Sequence, residues 1–407
     1  MCAADKPQAD SSRAEKVSPR EKGQWKVDVS LAATAAHKLL DEDVSLVALL
    51  STCIDACERG CAEIRRAHAN LDRDHSTLHL RQFDHKIADD PRSALTAADL
   101  AAQKAIVCAL QREWPNIKIV AEEEDVSCSV ASEQQPSRLR RDLCTHLESP
   151  DVVAELFSAA PSEITIFVDP LDGTREFVEG RIENVQTLIG IAVAGHSVAG
   201  AIGLPFAEVS GKSASEDESG YSTRLVYALE GAGAYSRPPP SRSKIDGVRP
   251  LLVAGDSRDP ALDAASAAAL SSGGQRVLLG GTGQKLLAVA EGRADVSMIN
   301  FQSKLWDTCA SEALVRATGG LVTDLFGERL VYSAEALANS CGVLGSAAGF
   351  EQAHLHVCAA MRSNPDALER LRPWGLEESS SHESVFGVLN DRRERLSWRR
   401  PRRPPSV

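Results

Sequence analysis

The stretch "VQTLIGIAVAGHSVAGAIGLPF", residues 185–206, is the longest apolar run in the chain and the feature that most restricts its fold. An unbroken run of that length would suit a membrane-crossing helix. Here Gly195, His196 and Ser197 interrupt it near the middle and Pro205 closes it, so two strands joined by a turn account for it better. The start, "MCAADKPQADSSRAEK", has no apolar core, so neither a secretory signal nor a membrane partner is expected.

Helical and strand patterns alternate on both sides of that hairpin. In "DVSLVALLSTCIDACERGCAEIRR", Val47, Leu50, Ile54, Cys57, Cys61 and Ile64 share one helical face. "LTAADLAAQKAIVCALQREWP" reads as a second helix, from Thr96 to the residue before Pro115, and "IKIVAEEED" as a short strand entering an acidic cluster. "ITIFVDP" is a buried-type strand, and "RLVYALEGAGAY" also has strand character. Further on, "PLLVAG" is a strand followed by a helical alanine run, and "QRVLLGGTGQKLLAVAEGRADVSMI" reads strand, glycine loop, helix, strand. "WDTCASEALVRATGG" is a helix closed by Gly319-Gly320, and "LVTDLFGERLVY" a hairpin turning near Gly327. "CGVLGSA" and a helix around His354 complete the pattern, which predicts an α/β layered architecture.

The expected organisation is a polar extension over 1–42, an N-terminal α+β lobe over 43–240 with an insertion at about 126–163, and a C-terminal α/β lobe over 246–365. "SRPPPSRSKIDG" is the linker between lobes, and 366–407 reads as a disordered basic tail, with seven arginines in "DRRERLSWRRPRRPPSV". A net charge of -12 argues against a nucleic-acid polymer as partner, although bound cations would let an acidic site take a small phosphorylated substrate. The ten cysteines include no CxxC pair; Cys53, Cys57 and Cys61 are expected on a packed helix face, no disulfide is called for, and a reducing cytoplasm is the default location.

"VDPLDGTREFVEG", Val168 to Gly180, places two aspartates three residues apart at the end of an apolar strand. A turn would explain Pro170 and Gly173; a metal site would explain why carboxylates, Gly173 and Thr174 stand together. Other acids have plain readings singly: Asp99 has capping-box spacing from Thr96, Asp307 suits an N-cap, and Glu122 and Glu123 end a strand. "GGTGQK" lacks the spacing of a phosphate-binding P-loop. As an ordered set, however, these acids are the hard oxygen donors that magnesium takes, and two or three such ions activate water and stabilise the leaving oxygen of a phosphate ester.

"VDPLDGTREFVEG" and "WDTCASEALVRATGG" resemble the two signature motifs of the inositol monophosphatase superfamily of lithium-sensitive, magnesium-dependent phosphatases. "NVQTLIGIAVAG" and "TAAD" bring the likeness closest to its bisphosphate nucleotidase branch, from about Leu46 to Ala360. The resemblance implies an α/β layered sandwich of two lobes with the active site between them. It implies two or three Mg2+ ions on Glu122, Asp169, the carbonyl of Leu171, Asp172 and Asp307, with Glu123 the alternative first ligand. It makes Thr174 and Asp99 the catalytic pair that orients and deprotonates water, and it implies lithium inhibition. Gly173, Thr174, Ser257, Gly281, Thr282, Lys285 and Asp307 would contact substrate. Where that branch tends to carry serine and histidine, "VAGDSRDP" has only Ser257 and Arg258. The implied reaction is removal of the 3′-phosphate from adenosine 3′,5′-bisphosphate or its sulfated analogue by a monomer or homodimer. Inositol phosphate hydrolysis is the alternative, and a non-catalytic scaffold the reading from another class.

Overall fold

A computed structural model describes residues 43–77, 91–123, 128, 138–147, 157–208, 221–237, 252–254, 260–271, 273–299, 303–335 and 337–371. The extension 1–42, most of the linker, Ser257, Arg258 and the tail beyond 371 lie outside the described residues.

The hairpin read from 185–206 forms the middle of a six-stranded sheet. Its strands are β1 (Lys118–Ala121), β2 (Ile164–Asp172), β3 (Gln186–Val193), β4 (His196–Glu208), β5 (Tyr221–Leu229) and β6 (Gly233–Arg237), lying side by side in chain order. Only β1 and β2 run parallel; the other neighbours are antiparallel. The β3–β4 turn uses Ala194 (φ 49) and Gly195 (φ 80), two successive left-handed residues whose twist matches that of a hairpin. No helix among the described residues is long and apolar enough to cross a membrane.

The second sheet contains β7 (Leu252–Ala254), β8 (Gln275–Val277), β9 (Val296–Ile299), β10 (Leu321–Thr323) and β11 (Val343–Ser346), in the order β8-β7-β9-β11-β10. The α-helices among the described residues are α1 (Leu46–Thr77), α2 (Pro91–Glu113), α3 (Thr174–Val178), α4 (Pro260–Ala269), α5 (Thr282–Ala290), α6 (Leu305–Ala317), α7 (Glu351–Arg362) and α8 (Pro365–Leu371). Two short two-stranded ladders, Val44–Ser45 with Ser158–Ala159 and Ser303–Lys304 with Ala338–Asn339, lie outside both sheets.

Alternation along the strands explains how the layers stack, since successive side chains leave opposite faces. Ile164, Ile166 and Val168 of β2 pack with Leu50 and Ile54 of α1 and Ile106 of α2. Phe167, between them, packs instead with Leu286 of α5 and Cys309 of α6. Those two helices also bury Ile299, Val322 and Val343 of the second sheet. The outer face of that sheet, with Val296, Met298 and Leu344, packs on Leu262 of α4 and Val357 of α7. The result is an α/β layered sandwich with α5 and α6 between the two sheets.

Several expectations change. Cys108 on α2 is disulfide-bonded to Cys128, which overturns the expectation of no disulfide: the fold brings the Cα atoms of two cysteines 20 residues apart to 5.4 Å. Part of the segment 126–163 belongs to the core, because Leu139, Cys144 and Leu147 are buried against α1 and Leu143 donates its backbone N–H to Ser51 Oγ at 2.7 Å. The stretch 321–332 contains one strand, not a hairpin. The Asp324 carboxylate takes the N–H groups of Phe326 and Glu328, both at 2.8 Å, and so holds a local turn in place of a returning strand. Past Pro365 the chain keeps a short helix, α8, capped by Asn364 Oδ1, which accepts from Asp366 N at 3.0 Å. Cys53, Cys57 and Cys61 are fully buried, as small packed residues would be.

Candidate active site

The site grows from an irregularity at the end of β2. Asp169 pairs with Leu188 and Asp172 with Gln186, so β2 spends one residue more than β3 over that interval. Pro170 lies inside it and has no N–H for the ladder, which makes a bulge the natural solution. Asp169 Oδ1 accepts the Leu171 N–H at 3.0 Å, and Thr187 Oγ1 donates to the Pro170 carbonyl at 2.9 Å. Gly173 follows at φ 87, a left-handed position beside the Asn184 carbonyl, and Thr174 opens α3.

Neighbouring elements bring in the other acids. Because β1 runs parallel to β2, Glu122 leaves it beside Val168, whose carbonyl accepts the Glu122 N–H at 3.2 Å. The Glu122 carboxyl reaches a hydrogen bond with Asp169. Helix α2 contributes Asp99, which is buried, and its Oδ1 has no hydrogen-bond partner among the described residues. At the start of α6, Asp307 Oδ2 accepts the Lys304 N–H at 2.9 Å. Asp172 reaches across to α5 and accepts N–H groups from Thr282 at 3.0 Å and Gly283 at 2.9 Å, the arrangement favoured for a carboxylate at a helix N-terminus. Lys285, one turn further on, is buried and attracts Asp172.

Electrostatics shows that these acids form one set. Burial, then the charges of Asp172, Glu122, Asp307 and Asp99, pushes Asp169 well above the usual carboxylate range. Burial raises Asp99 to about 8, with help from Glu122 and Glu123, and raises Asp307 to about 8, with help from Asp172. Glu122 is raised by burial, although the Asp169 hydrogen bond opposes the shift. Asp172 is also raised by burial, against the pull of the Thr282 and Gly283 amides and Lys285.

Asp99, Glu122, Asp169, Asp172 and Asp307 thus lie within one another's fields, and Gly281, Thr282 and Lys285 adjoin them at the start of α5. Thr174 and Asp99 are not joined by a hydrogen bond among the described residues; the Thr174 hydroxyl donates to the Leu171 carbonyl at 3.3 Å. Ser257 lies outside the described residues. Among the described residues, no group of three or more histidine, cysteine, aspartate or glutamate side chains is arranged as a ready metal site. The donor set nonetheless fits a hard divalent cation: these are buried oxygen ligands whose mutual repulsion such an ion would relieve.

Sequence reasoning missed two groups. Glu176 is buried and held by Arg181 Nε and Nη2, both at 2.7 Å, and by Asn184 Nδ2 at 3.0 Å. Gly280 lies against that carboxylate with no space for a Cβ, so Glu176 locks α3 to the α5 loop. The glutamate and arginine five residues apart in "EFVEGR" were the available signal. The second group is Gln103, one helical turn after Asp99, whose carboxamide bonds the backbone of Glu123.

The model of the inositol monophosphatase family matches residues 49–362. The chain belongs to this family. Among other members, 3′(2′),5′-bisphosphate nucleotidase 1 of Dictyostelium discoideum is 32% identical over 296 residues, covering 70% of this chain and 90% of that protein. The Golgi-resident adenosine 3′,5′-bisphosphate 3′-phosphatase of Rattus norvegicus is 26% identical over 348 residues, 83% of each chain. A solved inositol monophosphatase from Staphylococcus aureus shares the fold at 19% identity, with a TM-score of 0.50 over 78% of this chain and 97% of its own.

Proposed function

We propose that this chain is a magnesium-dependent phosphomonoesterase that hydrolyses the 3′-phosphate of adenosine 3′,5′-bisphosphate to give AMP and phosphate. The observation that carries the hydrolytic reading is the β2 bulge, which sets Asp169 and Asp172 among Glu122, Asp99 and Asp307. The nucleotide as substrate is supported by the relatives named for that activity. Inositol phosphates are the second reading, favoured by the absence of a histidine in "VAGDSRDP".

In this reading Glu122, Asp169, the Leu171 carbonyl, Asp172 and Asp307 hold two or three Mg2+ ions. Bound there, magnesium acidifies water and offsets charge on the phosphoryl oxygens. Thr174 Oγ1 would orient the attacking water, and Asp99, once bound cations offset the Glu122 and Glu123 charges that help raise it, would accept the proton when the Thr174 hydroxyl turns to it from the Leu171 carbonyl. Gly173 and Thr174 cradle phosphate, while Gly281, Thr282 and Lys285 hold the remainder of the substrate.

The test is phosphate release by the purified protein with magnesium, with and without lithium, from adenosine 3′,5′-bisphosphate, inositol 1-phosphate and inositol 1,4-bisphosphate. The nucleotide is expected to turn over fastest, and lithium to inhibit. Asp169→Asn should lower turnover by more than roughly 100-fold, since even a residue behind a metal ligand typically costs 10–100-fold. Preference for an inositol phosphate would select the second reading. No turnover of any substrate would leave a scaffold.

A further inference from the structure

Gln103 is 1% exposed and stands one turn after Asp99 on the same face of α2. Its carboxamide uses both polar ends on one residue: Nε2 donates to the Glu123 carbonyl at 2.7 Å, and Oε1 accepts the Glu123 N–H at 3.0 Å. This is the pair of bonds a neighbouring strand would make. It begins where the β1–β2 ladder stops, at Ala121 opposite Val168. Glu122 is therefore bracketed, with its own N–H on the Val168 carbonyl and the next residue gripped by Gln103. A little further along, Cys128 ties the chain to the same helix through Cys108.

Such a grip answers a specific problem. The charges of Glu123, Asp172 and Asp99 repel Glu122, which is only half-buried and would be driven toward water if its backbone were free to turn. A carboxamide sets a donor and an acceptor side by side, spaced to meet the C=O and N–H of one residue, without adding charge to this set. A glutamate here would lose the donor and add repulsion, a methionine would lose both bonds, and an asparagine is one methylene shorter.

We propose that Gln103 is a positioning residue: by fixing the Glu122–Glu123 backbone, it sets the affinity of the acid set for divalent cations. This rests on the reading that Glu122 holds the cation. The experiment is Mn2+ binding to the metal-stripped, disulfide-intact protein, followed by electron paramagnetic resonance, for the wild type, Gln103→Met and Glu122→Gln. Gln103→Met should weaken binding about 10–100-fold, the usual range for residues behind metal ligands. In steady-state assays its magnesium requirement should rise by more than its turnover at saturating magnesium falls. A folded Gln103→Met protein with wild-type Mn2+ affinity would overturn the proposal. If that variant does not fold, Gln103→Asn takes its place under the same criterion. Glu122→Gln separates the two claims. If it binds Mn2+ as wild type does, the ligand reading fails and takes this proposal with it; if it loses affinity while Gln103→Met does not, Gln103 alone is refuted.

Discussion

His354 shows how one buried side chain makes stability depend on pH. Thr323 Oγ1 lies 2.8 Å from its Nε2 and Ser346 Oγ 3.0 Å from its Nδ1, and burial lowers the imidazole to about 3. The unfolded chain takes up this proton below about 6.5 while the folded protein refuses it, so stability is full above that pH and falls as pH drops toward 3. The slope is about 1.4 kcal/mol per pH unit. His354→Gln removes the titration, so its destabilisation relative to wild type should be roughly 2 kcal/mol smaller at pH 5 than at pH 7.5. Urea midpoints at the two pH values measure this, and an equal difference at both would refute it. At this scale, legibility followed contiguity. Asp169, Asp172, Gly173 and Thr174 stand in one short motif whose chemistry can be read in place. Gln103 and the Cys108–Cys128 bond act on residues 20 positions away, and no local spacing records a partner supplied by the fold.

At the scale of elements, the close approach of α6 to the first sheet depends on two glycines that need no unusual φ. A Cβ on Gly200 of β4 would lie 2.5 Å from the Ala310 carbonyl oxygen and 2.6 Å from its Cα, and one on Gly190 of β3 would lie 2.7 Å from Ala310 N. These are main-chain atoms of α6, so no rotamer change makes room. Overpacking of this kind costs about 1–3 kcal/mol, and Gly200→Ala belongs at the upper end. Since Asp307 sits in the first turn of α6, the displacement should also raise the magnesium requirement for phosphate release. Thermal melts and a magnesium titration check both effects; a variant with wild-type melting would mean that the helix yields freely. The 185–206 hairpin was legible because its breakers fall where the left-handed turn is needed. The single strand in 321–332 was not, because a side chain, Asp324, displaces the ladder. Helix α8 carried a readable signal in Asn364-Pro365, a cap followed by the residue best suited to a first turn.

For the whole molecule, the acid set is an assembly of distant parts. Asp99 comes from α2, Glu122 from the end of β1, Asp169 and Asp172 from β2, and Asp307 from α6, across the face where α5 and α6 meet the first sheet. In the unfolded chain these carboxylates are spread over some two hundred residues and offer no shared site. In the folded protein they are buried and repel one another; burial first, and then that repulsion, raises Asp99 and Asp307 to about 8. A divalent cation that binds this set therefore binds the folded state alone and stabilises all the elements that meet there. Linkage gives about 2.7 kcal/mol for one site at a free cation concentration of 100 times its Kd. Magnesium should accordingly raise the melting temperature of the stripped protein in a concentration-dependent way, and a chelator should reverse the shift. Asp169→Asn removes a carboxylate that the other four surround, so it should lose most of the magnesium shift while melting no earlier than wild type in the chelator, because a source of repulsion has also gone. Differential scanning calorimetry of both proteins, with magnesium and with chelator, gives the four melting temperatures required. Equal magnesium shifts in the two proteins would show that the cation binds elsewhere and that the acids at the β2 bulge do not act as one site.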